Sequence, residues 1–166
     1  IWHKYATAMW LIGDVEKVSS VVIKSDDFYW EAPCAITWKF RNKNCLGIFE
    51  MIHASEMPIK SKYYPVDDFF EIHGSKGVIW VTRCTGEMLD MPPILVHSSA
   101  GTREYNVETD WSEGFLAASS DFIEGVLTGN QPRLDVLTSK KVLQASLAAY
   151  RAAETGMTID PQSISA

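Results

Sequence analysis

Phe69-Phe70-Glu71-Ile72-His73-Gly74-Ser75-Lys76-Gly77-Val78-Ile79-Trp80-Val81-Thr82-Arg83 reads as two β-prone runs around a short polar break. Gly74 and Gly77 fall where a reversing backbone calls for positive φ, so a hairpin is expected. In the second run Val78, Trp80 and Thr82 share one face, and Ile79, Val81 and Arg83 the other. Both faces carry apolar groups, which predicts a sheet covered on both sides.

Further strands are expected on either side of this hairpin. Upstream, Val15 to Ser25 is rich in β-branched residues. Ala35 to Arg41 alternates cleanly, with Ile36, Trp38 and Phe40 on one face. Asn42-Lys43-Asn44 predicts a turn, with Cys45 to Ala54 returning as the partner strand. Downstream, Ile94–Ser98 and Arg103–Val107 are expected to turn at Ala100-Gly101. Three loops separate these strands: an aromatic one at Phe28-Tyr29-Trp30, a long polar one over Ser55 to Asp67, and one over Gly86 to Pro93.

Helical spacing marks the two ends of the chain. Tyr5, Ala6, Met9 and Ile12 predict a helix over Trp2–Ile12, stopped at Gly13. Asp110 and Glu113 read as an N-cap and its capping-box partner, with Phe115, Ser119, Phe122 and Val126 on one face and Gly129 as the stop. Thr138 or Ser139 is expected to cap a last helix with a buried stripe of Leu143, Leu147 and Tyr150, ended by Gly156; Met157 to Ile159 is expected to add a short strand. Strands and helices segregate along the chain. The expected fold class is therefore α+β: an open, mostly antiparallel sheet, with one N-terminal helix and two C-terminal helices packed on one face.

The 166 residues suit one domain, 1–166, with a sizeable core. Net charge is −6 and no Lys/Arg cluster appears, which argues against nucleic acid and anionic membrane as partners. Cys34, Cys45 and Cys84 lack metal spacing and are expected to be small buried groups in a reducing, cytoplasmic setting; no metal site is expected. Neither a G-x-G-x-x-G turn after a strand nor a P-loop is present, so no cofactor-binding residue is expected in this chain. The start, Ile1-Trp2-His3, runs straight into a helix without an initiator Met and reads as the beginning of a fragment.

His3 is the sharpest candidate for chemistry, because imidazole moves protons near neutral pH; a histidine opening a helix is also an ordinary surface residue. Lys60, Lys62, Tyr63 and Tyr64 lie on the long loop, where they are either solvated or within reach of a bound small molecule. His53 and His73 read as exposed strand or turn residues, Glu71 as a structural hydrogen-bonding group, and Glu50 with Glu56 as an undecided carboxylate pair.

Glu71-Ile72-His73-Gly74-Ser75-Lys76-Gly77 is similar to the E-x-x-G-x-x-G hairpin in the C-terminal domain of the Gfo/Idh/MocA oxidoreductases. His3 to Val15 resembles that family's segment in which a His opens a helix ending W-L-x-G-x-V, with Trp10, Leu11, Gly13 and Val15 at matching positions. Trp38, Asp110-Trp111 with Phe115, Phe122-Ile123, Gly129-x-x-Pro132 and Ala145 to Gly156 extend the resemblance over nearly the whole chain. Two departures stand out: the Asp of the family's D-x-x-x-H motif would precede Ile1, and Ile1 replaces a usual Gly.

The resemblance implies the substrate-binding and oligomerising domain of an NAD- or NADP-dependent oxidoreductase acting on a secondary alcohol of a sugar, inositol or related polyol. His3 takes the catalytic position, and an N-terminal Rossmann domain outside this chain binds the nucleotide and supplies a catalytic Lys; Lys4 beside His3, and Tyr63 and Tyr64 on their loop, are the residues expected to contact such a substrate. The fragment alone is expected to be inactive. A homodimer or higher homo-oligomer through the sheet face is implied. The alternative is a non-catalytic binding or dimerisation module or scaffold.

Overall fold

The computed structural model describes residues 2–24, 26, 32–63, 68–82 and 91–165. The chain divides into two units, Ile1–Ala54 with Arg133–Ala166 and Ser55–Pro132. Helices α1 (Trp2–Ile12), α2 (Trp111–Thr128) and α3 (Val136–Thr155) frame the strands in the expected order. The strands themselves form a three-stranded and a four-stranded antiparallel sheet, one in each unit. The α+β class stands, and the strands expected in one open sheet are shared between two.

The first unit is built on β1 (Val15–Val22), β2 (Cys34–Phe40) and β3 (Leu46–Met51), paired in that order. Along β2 the alternation is strict: Cys34, Ile36, Trp38 and Phe40 are buried, and Ala35, Thr37 and Lys39 are exposed. Period-two burial follows from side chains pointing to opposite faces of the pleat. α1 adds Tyr5 and Met9, one turn apart, to the same core, with the Tyr5 and Trp38 ring centroids 4.9 Å apart. Gly47 pairs with Trp38 across the ladder because the indole occupies the space: a Cβ there would lie 2.1 Å from Trp38 Cε2.

α3 packs along β1, and here the expected stripe is corrected. Leu143, Leu147 and Tyr150 are 37–43% exposed, whereas Val142, Ala145, Ser146, Ala148, Ala149 and Ala152 are buried. Small side chains let the helix backbone come close to the strand, close enough for Ser20 Oγ to donate to the Ala149 carbonyl. A leucine stripe would hold the two elements apart. The cap is also moved: Asp135, not Thr138 or Ser139, caps α3, its carboxylate accepting from the Thr138 amide at 2.6 Å. Ile159 bridges Val18 through two 2.9 Å backbone bonds, forming the expected last strand contact. Ion pairs Lys39–Glu16, Arg41–Asp160, Lys141–Asp14 and Arg151–Glu154 lie on the surface of this unit.

The second unit holds β4 (Phe70–Gly74), β5 (Gly77–Val81), β6 (Ile94–Ser98) and β7 (Gly101–Tyr105) as a meander, with β7 starting two residues earlier than expected. The β4–β5 hairpin forms as expected, but its glycines are there for another reason. Neither Gly74 nor Gly77 has positive φ; a Cβ on Gly77 would meet the His97 carbonyl oxygen of β6 at 2.1 Å. Close approach of a neighbouring strand, not turn geometry, excludes a side chain at Gly77.

α2 is capped by Asp110 and closed by Gly129 in the left-handed conformation, as expected. The Asp110 amide is satisfied by Glu108 Oε1 at 2.9 Å, so the position expected of the Glu113 side chain is already filled. Phe115, Phe122 and Val126 are all exposed, and Gly125 is the buried residue of this helix.

Candidate active site

His3 stands in the first turn of α1 with its side chain exposed, two residues before the buried Tyr5. That offset follows from the helical period, which turns consecutive odd positions away from each other. The backbone carbonyl of His3 accepts a 2.9 Å bond from Thr7 Oγ1, which ties the turn without engaging the imidazole. Lys4 is half-buried beside it. Burial, with the Cys34 thiol as a lesser cause, pushes the Tyr5 phenol far above its ordinary value, so Tyr5 is a neutral core group.

Tyr63 is exposed and belongs to the second unit, whereas His3 and Lys4 belong to the first. Tyr64 lies outside the described residues, as do Cys84 and the Phe28-Tyr29-Trp30 loop. Cys34 is buried and Cys45 half-buried.

The second unit gathers a polar cluster that sequence reasoning missed. The Asp110 carboxylate accepts from Lys62 Nζ, from the Tyr63 hydroxyl, and from Ser112 through both its amide at 2.9 Å and its hydroxyl at 2.6 Å. Lys62 foremost, then the Ser112 and Tyr63 hydroxyls, hold the Asp110 carboxyl far below the usual carboxylate range. The same carboxylate, with Tyr63, raises the Lys62 ammonium above its ordinary value. The Tyr63 ring lies against Trp111 at 5.4 Å between centroids. Asp110 was legible as a helix cap and as part of the family resemblance, but nothing in the sequence links it to a lysine 48 residues away.

On one face of the second sheet Glu71 holds its neighbours as expected of a structural group. Its carboxylate pairs with His73 Nε2 and accepts from Trp80 Nε1 at 2.7 Å, and these bonds lower its pKa, His73 first. His97 Nδ1 pairs with Thr102 Oγ1 at 2.8 Å. Among the described residues no three His, Cys, Asp or Glu side chains are grouped to hold a metal ion, and no helix is long and apolar enough to cross a membrane.

A cavity of about 20 Å³ between α1 and α3, lined by Met9, Asp14, Lys141 and Gln144, has room for no more than a water molecule. It is too small for a sugar. The one strand-to-helix passage among the described elements, β7 to α2, runs through Asn106-Val107-Glu108-Thr109-Asp110. It lacks glycine and ends on two carboxylates, which repel a pyrophosphate where a nucleotide fold would bind it.

A family model described as "Oxidoreductase family, C-terminal alpha/beta domain" matches residues 2–160. No curated protein matches the sequence. Among solved structures, an oxidoreductase from Agrobacterium radiobacter in complex with NAD+, L-tartaric acid and magnesium is 17% identical with a TM-score of 0.78, over 97% of this chain and 47% of that one. Levoglucosan dehydrogenase in complex with NADH and levoglucosan is 16% identical with a TM-score of 0.75, over 96% and 48%. The WlbA dehydrogenase from Bordetella pertussis, in complex with NADH and UDP-GlcNAcA, is 16% identical with a TM-score of 0.64, over 96% and 43%. At these identities the likeness is one of fold, and the chain spans about half the length of each.

Proposed function

The chain belongs to the Gfo/Idh/MocA oxidoreductases as their C-terminal alpha/beta domain, and from that premise we propose that it is the substrate side of an NAD- or NADP-dependent dehydrogenase of a sugar, inositol or related polyol. The observation that supports this reading is that His3, which by resemblance takes the family's catalytic position, is exposed in the first turn of α1. The nicotinamide supplies the hydride chemistry when bound on a separate domain of a longer, cytoplasmic protein. This chain's own contribution is the imidazole that takes the proton of the substrate hydroxyl, with Lys4, Tyr63 and Tyr64 as contacts to the substrate. Two of the similar structures hold NADH together with a sugar or sugar nucleotide, which supports the substrate class.

The test is an absorbance assay of nicotinamide reduction with levoglucosan, myo-inositol and L-tartrate. The intact protein is expected to reduce NAD or NADP with at least one secondary alcohol. The 166-residue chain is expected to reduce neither and to bind neither tightly by calorimetry, since it lacks the glycine-rich turn. Positioning alone accounts for about 7–11 kcal/mol of barrier reduction in well-oriented systems, and His3 without a held nicotinamide forfeits it. Micromolar NAD binding to the chain would move the nucleotide site into this domain and remove the reading.

The chain is also proposed to assemble as a homodimer or higher homo-oligomer through a sheet face. Ladder register places Phe70, Ile72, Ile79, Val81, Ile94 and Val96 on one face of the second sheet. On the outer face of the first sheet Leu46 and Ile48 are 71% and 75% exposed. Apolar sheet faces of this kind mark contact surfaces. Sedimentation equilibrium is expected to show at least a dimer, and monomer alone at micromolar concentration would overturn it. The same apolar faces are what favours the second reading, a non-catalytic dimerisation module, and inactivity of the intact protein with an intact dimer would select it.

A further inference from the structure

Lys62 and Tyr63 lie in the largely exposed loop that begins at Ser55, and both meet one carboxylate at the start of α2. Capping a helix requires only that Asp110 accept the Ser112 amide. The bonds from Lys62 and Tyr63 go beyond capping, and they are backed by a separate contact, the Tyr63 ring on Trp111, which in turn packs on Phe115 at 5.9 Å. The Lys62 ammonium also lies 5.2 Å over the Tyr63 ring. Lys62 and Tyr63 are thus both held at their polar ends, and Tyr63 by its ring as well.

We infer that Asp110 is a positioning residue: it latches this loop onto the start of α2 and so fixes Lys62 and Tyr63 in the pose that meets a polyol hydroxyl. This rests on the proposed reading of Tyr63 as a substrate contact. Because Tyr63 donates its proton to Asp110, its phenol oxygen acts only as an acceptor, toward Lys62 and, through its second lone pair, toward a ligand, while the Lys62 ammonium has three N–H groups and keeps one beyond those directed at Asp110 and Tyr63. A hydroxyl both donates and accepts, so an acceptor and a donor held side by side suit it. Without the latch, two flexible side chains on a largely exposed loop would have to be ordered by each substrate molecule.

The test combines amide hydrogen exchange with NMR titration of the 166-residue chain by myo-inositol. Asp110→Asn keeps a good N-cap but removes the charge that holds Lys62. It is expected to speed exchange at Ser61, Lys62 and Tyr63 by about fivefold or more. The α2 amides should stay protected, and the inositol-induced shifts at Tyr63 should be lost. Unchanged exchange, or a loosened loop with undiminished inositol shifts, overturns the inference. Should Asp110→Asn melt α2, Lys62→Met decides in the same way, since it leaves the cap untouched. Loosening in the variants with no inositol shift at Tyr63 in the wild type keeps the latch but overturns both the hydroxyl pose and the polyol reading.

Discussion

Replacing His3 by asparagine in the intact protein is expected to lower turnover by roughly 10²–10⁴-fold while leaving nucleotide affinity nearly unchanged. Asparagine keeps the polar character and approximate size of the side chain but cannot hold the proton released from a substrate hydroxyl. The fold should not notice. The imidazole is exposed, and the side-chain bond described at this position, from Thr7 Oγ1, uses the backbone carbonyl, so stability should change by less than about 0.5 kcal/mol. The measurement is kcat and KM with the best polyol substrate, alongside NADH affinity by fluorescence titration. Loss of kcat with intact NADH binding places His3 in the proton transfer. Turnover near the wild-type value removes it from the mechanism, whatever the substrate proves to be.

The second large effect is on the fold. Gly77→Ala is expected to destabilise the second unit by about 2–3 kcal/mol, because the new methyl would sit 2.1 Å from the His97 carbonyl oxygen. A backbone atom cannot swing aside as a long side chain can. Relief requires β5 and β6 to separate locally, at the cost of ladder bonds around the Gly77–Ser98 and Val78–His97 pairs. Gly74→Ala is the control: its methyl would meet the Gly77 carbonyl oxygen at an ordinary 3.7 Å, and its φ is not positive. In a strand with room, replacing Gly by Ala is neutral or stabilising by up to about 1 kcal/mol, through the lowered entropy of the unfolded chain. Urea midpoints followed by tryptophan fluorescence separate the two. Equal midpoints for the variants would mean that β6 lies farther from Gly77 than described.

That pair of glycines shows where pattern reading reaches its limit. Two glycines between β-prone runs announced the hairpin correctly, and the physical reason offered, positive φ, was wrong for both. The glycine at position 77 answers to a strand that follows thirteen residues after β5 ends, Val81 to Ile94. Steric exclusion by a distant strand leaves no local signal. The α3 stripe fails in the same manner. Helical period is correct over Val136–Thr155, but which arc faces inward depends on how close β1 comes, and that closeness selects alanines over leucines.

By itself the sequence determined the order of elements, the strict burial of alternate β2 residues, the glycine stops of α2 and α3, the Asp110 cap, and the place of His3 in the first turn of α1. Each of these is set by interactions within a few residues, so residue type and spacing suffice. Tertiary structure alone decided that the strands form two sheets, that Ser20 reaches the Ala149 carbonyl, that Gly77 is hemmed in by His97, and that Lys62 and Tyr63 converge on Asp110. Those contacts join residues 20 to 129 positions apart, as the Gly77–His97 and Ser20–Ala149 pairs do at the two extremes. They exist only because folding offsets the loop-closure entropy with burial and hydrogen bonding elsewhere, a balance no local pattern records.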